Sequence, residues 1–250
     1  MQSYLTLTRR DLAGYFLSLS GYVIIAATTF LVGLSFVILV TKLGGDPSLM
    51  PVTELFYSTQ FFWLILILTT PVITMRLFAL ERYSGTFETL MTTPVQDVAV
   101  VLAKFSAAMI FYLVMWLPML ACLWVVQYFA RQSGALEPRM LVSLFLGIGL
   151  LGALFLSLGC FASALTRSQV VAAIVTLALG VSLFSLGYLA DQAETGASWQ
   201  SQVLGYLALF EQMHDFARGV VDTRAVVLHS SLTFFFLFLT LRAVESRRWR

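Results

Sequence analysis

Six long apolar runs dominate the chain, and polar residues are confined to the short stretches between them. The runs cover roughly Gly21 to Thr41, Leu55 to Met75, Phe105 to Phe129, Met140 to Leu165, Val170 to Ala190 and Ala225 to Leu241. A helix needs about 20 mostly apolar residues to cross a bilayer, so each run predicts one transmembrane helix. The runs are continuously apolar. A barrel strand would instead alternate apolar and polar residues over about ten positions. The expected fold is an all-α integral membrane protein, with residues 1–250 forming one domain.

Three stretches outside the runs carry their own patterns. Ahead of the first, Leu5, Leu12, Phe16 and Leu19 share one helical face, while Gln2, Arg9, Arg10 and Ala13 lie off it. This predicts an interfacial helix over about residues 3–20, lying on the inner leaflet with its arginines toward anionic lipid. Thr8-Arg9-Arg10 could also open an export signal. However, the apolar region that follows exceeds the 7–15 residues of a signal core, and five more spans come after it.

Between the second and third runs lies the polar interlude Glu81 to Val95, in which Phe87, Leu90 and Met91 stand at i, i+3 and i+4. On a helix they form one small apolar face with Glu88 turned away. Ser84 and Gly85 can start such a helix and Pro94 stops it. A short amphipathic helix at the mouth of a membrane bundle can be pushed by a soluble partner, so segment 81–97 is expected to be a coupling helix.

The third stretch, Asp191 to Arg224, joins runs five and six. Val203 to Phe210 is apolar but too short to cross, Glu211 to Asp215 is polar, and Phe216 to Val221 is apolar again. This predicts a re-entrant pair of short helices over residues 203–222 on the outer side. It would be either a lid over a translocation path or a stabilising cap, with Phe210, Glu211, Asp215, Phe216, Arg218 and Asp222 as candidate lid residues. Glu211 and His214 have the spacing of a di-metal ligand pair, but such a site needs a second pair and further glutamates. The only other histidine is His229, so no metal is expected.

Composition agrees, since 59% of residues are hydrophobic and 11% charged, against about 25% charged in soluble domains. Arg9, Arg10, Arg76, Arg82, Lys104, Arg167, Arg242, Arg247, Arg248 and Arg250 fall on the face carrying both termini, and Lys42, Arg131, Arg139, Arg218 and Arg224 on the other. That bias predicts cytoplasmic termini. The five acids Asp11, Glu81, Glu88, Asp97 and Glu245 share the inner face with its ten bases, leaving +5 there; the other eight acids outnumber the five outer bases, leaving −3.

The runs contain no Asp, Glu, Lys or Arg, and His229 is their one histidine. Ion-driven transporters place ionisable residues within their spans, so that class is not expected. The nucleotide-binding pattern G-x-x-x-x-G-K-[ST] is absent too, so the energy for any transport must come from another subunit. Gly147 to Gly152 matches G-x-G-x-x-G but lacks the preceding strand and the later acid of a dinucleotide site. These glycines, with Gly159 and Ser163 after them, are expected to allow close helix packing. Cys122 and Cys160 fall in different runs and are expected to pack; Pro71 and Pro118 are expected to kink their helices. No cluster of nucleophile, base and orienting residue suggests an enzyme.

Arg76, Ala79, Glu81-Arg82, Gly85-Thr86, Glu88, Leu90, Pro94-Val95 and Lys104 resemble the second cytoplasmic segment of exporter-class (ABC-2 type) ABC transporter permeases, particularly the gliding-motility-associated subfamily. Ser163 to Gln169, Phe216 to Asp222 and Arg247 to Arg250 are similar to it as well. The resemblance implies a six-helix permease subunit, itself without catalysis, in the bacterial inner membrane. It would pair with a second copy and bind two separate ATP-binding subunits on the cytoplasmic face. ATP and Mg would be bound by that ATPase, leaving no cofactor on this chain. A membrane-anchored partner with a large outer domain often belongs to such systems. The chain would otherwise meet membrane lipid, and no nucleic acid.

The same resemblance implies that Glu81, Arg82, Gly85, Thr86, Phe87, Glu88, Leu90, Met91 and Pro94 dock the ATPase. Phe87, Glu88 and Leu90 would enter its groove while Glu81 and Arg82 orient the link to span two. It also implies that the N-terminal helix is an elbow helix and the outer pair a lid. The alternative is a scaffold or force-transducing subunit that acts on a partner protein without moving a solute.

Overall fold

The computed structural model describes residues 2–43, 60–86, 95–130, 138–192 and 208–248, which form helices and their connections with no strand among them. In chain order the helices are α1 Gln2–Phe16, α2 Leu19–Leu43, α3 Gln60–Thr74, α4 Ala79–Tyr83, α5 Asp97–Met115, α6 Leu117–Ala130, α7 Pro138–Leu165, α8 Gln169–Gln192, α9 Leu209–Ala217 and α10 Thr223–Arg248. Six stretches are long and apolar enough to cross a membrane, one for each apolar run.

Three of these stretches extend past their runs. The second continues to Tyr83, the third begins at Asp97 and the sixth reaches Ser246. Arg76, Glu81, Arg82 and Lys104 therefore sit within spanning helices or at their joints. Charged residues end a hydropathy window; Glu81 and Lys104 do not end their helices, because they neutralise each other.

Prolines shape two spans. Pro118 stands second in α6, immediately after Trp116 has closed α5. Having no N–H, it cannot continue the ladder from the preceding turn, so the third span is broken at Trp116. Pro71 lies inside α3, and the chain turns between Thr74 and Ala79 before helix resumes as α4.

The core gathers around α7, which packs against α3, α5, α8, α9 and α10. Its small residues permit this. A Cβ on Gly147 would come within 2.9 Å of Phe216, one on Gly152 within 2.1 Å of Tyr112, and one on Gly159 within 2.2 Å of Thr74. Close approach, not nucleotide binding, accounts for these glycines. By contrast, α2, α8 and α10 keep broad apolar faces exposed, including Phe30, Ile174 and Phe234, as suits helices that meet lipid.

Two details differ from expectation. The face of α1 turned to the bundle is made by Tyr4, Thr8, Asp11 and Tyr15, not by the leucines. Leu12 and Phe16 do pack on the core, whereas Leu5 and Leu19 are exposed. The helix docks on charged and hydroxyl groups of α5, so its inner stripe is polar.

In the segment joining the fifth and sixth spans, the described residues hold one helix, α9, and the second expected short helix, Phe216 to Val221, is absent from them. The polar patch Glu211 to Asp215 lies at the centre of α9, and residues 218–222 are not helical. Leu209, Met213, Phe216 and Ala217 form its buried face at i, i+4, i+7 and i+8. The start of the expected pair, residues 203–207, lies outside the described residues.

Candidate functional site: a braced joint below the second span

The break between α3 and α4 exposes backbone groups that helices normally satisfy internally, and other elements meet them. At the end of α3, the Tyr15 hydroxyl of α1 donates to Ile73 O at 2.8 Å. Burial, reinforced by Cys160 and Asp11, holds the Tyr15 phenol well above its ordinary pKa. At the start of α4, Phe78 N–H and Ala79 N–H both donate to Ser163 Oγ of α7 at 3.1 Å. A side chain more than 80 residues away thus plays the part of a local N-cap.

Beyond this cap, α4 presents Glu81 and Arg82 to opposite neighbours. The Arg82 guanidinium donates to Ala164 O in the last turn of α7, where the helix dipole favours a cation. Glu81 Oε1 lies 2.8 Å from Lys104 Nζ of α5 and 2.8 Å from Arg10 Nη2 of α1. Asp11 completes the arrangement, 2.9 Å from Arg10 and 3.4 Å from Lys104. Two acids and two bases therefore alternate around a closed ring. Burial alone would lower the pKa of Arg10, but Asp11 and Glu81 outweigh it and raise it.

Lys104 is the most enclosed member, with 4% of its side chain exposed. Its ammonium also stands 5.4 Å from the centre of the Phe78 ring. A buried ammonium is tolerable only with such partners. Read from the sequence, Arg10 goes to lipid and Ser163 to helix packing, and Asp11 and Tyr15 have no place in a site, so their meeting at this joint is a finding of the structure. The one legible trace was the spacing of Tyr4, Thr8, Asp11 and Tyr15 along a single face.

The expected coupling residues divide here. Ser84 is the C-cap of α4, its N–H bonded to Leu80 O, and Gly85 follows with φ +74°. A glycine in the left-handed region is a helix-stop signal, so this pair ends α4 rather than only opening the next helix. Thr86 resumes helical geometry. Phe87, Glu88, Leu90, Met91 and Pro94 lie outside the described residues.

At the opposite end, α9 lies across the bundle. The Phe210 ring sits 4.4 Å from that of Trp63, 5.2 Å from Phe184 and 6.0 Å from Tyr188, centre to centre. Phe216 covers Gly147. After Ala217 the chain closes α9 with Gly219 at φ +84°, Gly219 N–H on Phe216 O and Val220 N–H on Asp215 O, a Schellman turn. Asp222 then caps α10 by accepting from Arg224 N–H at 2.9 Å. Of the candidate lid residues, Phe210 and Phe216 face inward and Glu211 and Arg218 are exposed. Asp215 and Asp222 serve the turn and the cap.

A family model described as ABC-2 family transporter protein matches residues 18–183, from the start of the first span into the fifth. No curated protein matches the chain. The match covers more than half of the sequence and includes α3, α4, Lys104 and Ser163 of the joint but not the α1 residues that brace it, and the six apolar helices fit a membrane subunit. The chain belongs to the ABC-2 family of transporter membrane proteins.

Proposed function

We propose that this chain couples ATP hydrolysis in a separate ATP-binding subunit to export across the bacterial inner membrane, with its termini cytoplasmic and a second copy completing the pathway. The observation that carries this reading is the bracing of α4. Its start is tied to α7 by Ser163, its second turn to α7 by Arg82, and its outer side to α1 and α5 through Glu81. A push on the chain immediately after α4 is therefore passed to three elements of the bundle at once. An unbraced loop would absorb it.

Segment 81–97 is the docking element in this reading, with Phe87 as its anchor, and the ATPase partner holds ATP and Mg. Aromatics at the centre of small interfaces carry much of their energy, about 2–4 kcal/mol on truncation. Phe87→Ala should leave the permease inserted but weaken its hold on the ATPase or uncouple hydrolysis from transport, while Thr89→Ala is nearly silent. Pull-down of the ATPase and activity per assembled complex measure both; a Phe87→Ala complex that assembles and works normally would refute the docking role. On the outer side α9 serves as the lid, latched by Phe210 in its aromatic nest.

A further inference from the structure

Between α1, the α3–α4 joint and α5 lies a cavity of about 270 Å³, bordered by the charge ring and by Gly14, Tyr15 and Arg76. It sits within the ends of the spans. Lys104 is seven residues into α5, about 10 Å along its axis, which is headgroup depth for a lipid of the leaflet on the side of the termini. Arg10 and Lys104 are each neutralised by Asp11 and Glu81. Arg76 is not. Its guanidinium donates to Ser20 Oγ, and among the described residues no carboxylate lies within ion-pair distance of it. Among the described residues the cavity thus has three bases to two acids.

One acceptor is also left over. Glu81 spends a single oxygen, Oε1, on both cations, while Oε2 is buried and accepts no hydrogen bond from the described residues. A group that fits places an anion against Arg76 and a donor against the Glu81 carboxylate, whose covered Oε2 must turn toward the cavity to accept it. Leu77 and Leu80 on the same wall suit an apolar continuation. We propose that this cavity binds a phospholipid whose headgroup joins a phosphodiester to a hydrogen-bond donor, as ethanolamine and glycerol headgroups do and choline does not. The phosphodiester meets Arg76 and the ammonium or hydroxyl meets Glu81, so the lipid wedges α1 against the braced joint. This assignment needs a membrane-embedded subunit and does not depend on ATPase docking.

The test is native mass spectrometry of the detergent-purified full chain with phosphatidylethanolamine, phosphatidylglycerol and phosphatidylcholine of matched acyl chains, and with inorganic phosphate alone. The first two should be retained over phosphatidylcholine by about ten-fold, the scale of one charge-assisted hydrogen bond. Arg76→Gln should abolish retention of all three lipids, since each carries the phosphodiester, whereas Glu81→Gln should erase the preference among them. Gly14→Leu is the second variant: Gly14 borders the cavity and a Cβ there meets nothing within 4 Å, so a leucine takes up cavity space without replacing a charge and favours the helix. It too should abolish retention while leaving the helical content unchanged. Equal retention of phosphatidylcholine, wild-type retention by a folded Gly14→Leu protein, or capture of inorganic phosphate in place of lipid would each overturn the assignment.

Discussion

Lys104 Nζ and Glu81 Oε1 meet at 2.8 Å across two different spans, in a site where the lysine is almost wholly enclosed. Removing one partner of such a pair leaves a buried charge uncompensated, at about 3–5 kcal/mol. Lys104→Met should therefore lower the midpoint of thermal unfolding in detergent markedly. Adding Glu81→Gln to it should cost less than the sum of the two single changes, because neighbouring charges are not additive. Strict additivity would count against the ring.

The small residues of α7 make an internal comparison. Gly152→Ala forces a Cβ into the Tyr112 ring, whereas a Cβ on Gly33 of α2 meets nothing within 4 Å. Overpacking costs about 1–3 kcal/mol, so Gly152→Ala should reduce unfolding temperature. Gly33→Ala should leave it unchanged or raise it, since alanine is the better helix former by about 1 kcal/mol.

If Phe210 latches α9, truncation should loosen the outer helix before it loosens the bundle. Each aromatic pair it makes is worth about 0.5–1.5 kcal/mol beyond simple burial. Met213 is buried beneath α9, so a Met213→Cys probe in a protein without Cys122 and Cys160 should react slowly with a membrane-impermeant thiol reagent. Adding Phe210→Ala should speed that reaction several-fold. An unchanged rate would show that other residues hold the helix.

Topology is testable near the end of α10. A Ser246→Cys protein should be labelled from the cytoplasmic side alone, in keeping with the ten-to-five bias of Lys and Arg between the two faces. Labelling from outside intact cells would reverse the orientation.

Most of the spans were legible because the bilayer imposes a long, continuous apolar signal that needs no partner to be read. Their edges were not. Lys104 and Glu81 read as loop residues until α1 supplies Arg10 and Asp11, a relation between positions 10, 11, 81 and 104 that no local window contains. Ser163 is similar: its value lies in two N–H groups of another helix. Helix α9 was missed for a different reason, because a polar cluster at its centre masked the period of Leu209, Met213, Phe216 and Ala217. That period was available in the sequence. For Arg76, Glu81 and Arg82, the family-like pattern named the residues without revealing what each side chain holds.

The column of small residues on α7 has a thermodynamic consequence. Gly147 touches α9 at one end and Ser163 holds α4 at the other, sixteen residues apart on one continuous helix, or about 24 Å. Both contacts are too close to slide: one is a ring against a bare backbone, the other a bifurcated hydrogen bond. If α7 moves as one rod, the two ends cannot be set independently. Linkage then requires reciprocity. Whatever free energy an event on the joint side spends to reposition α9, a molecule that prefers one position of α9 must return to the joint, so the far surface of this subunit is also a handle on its near one.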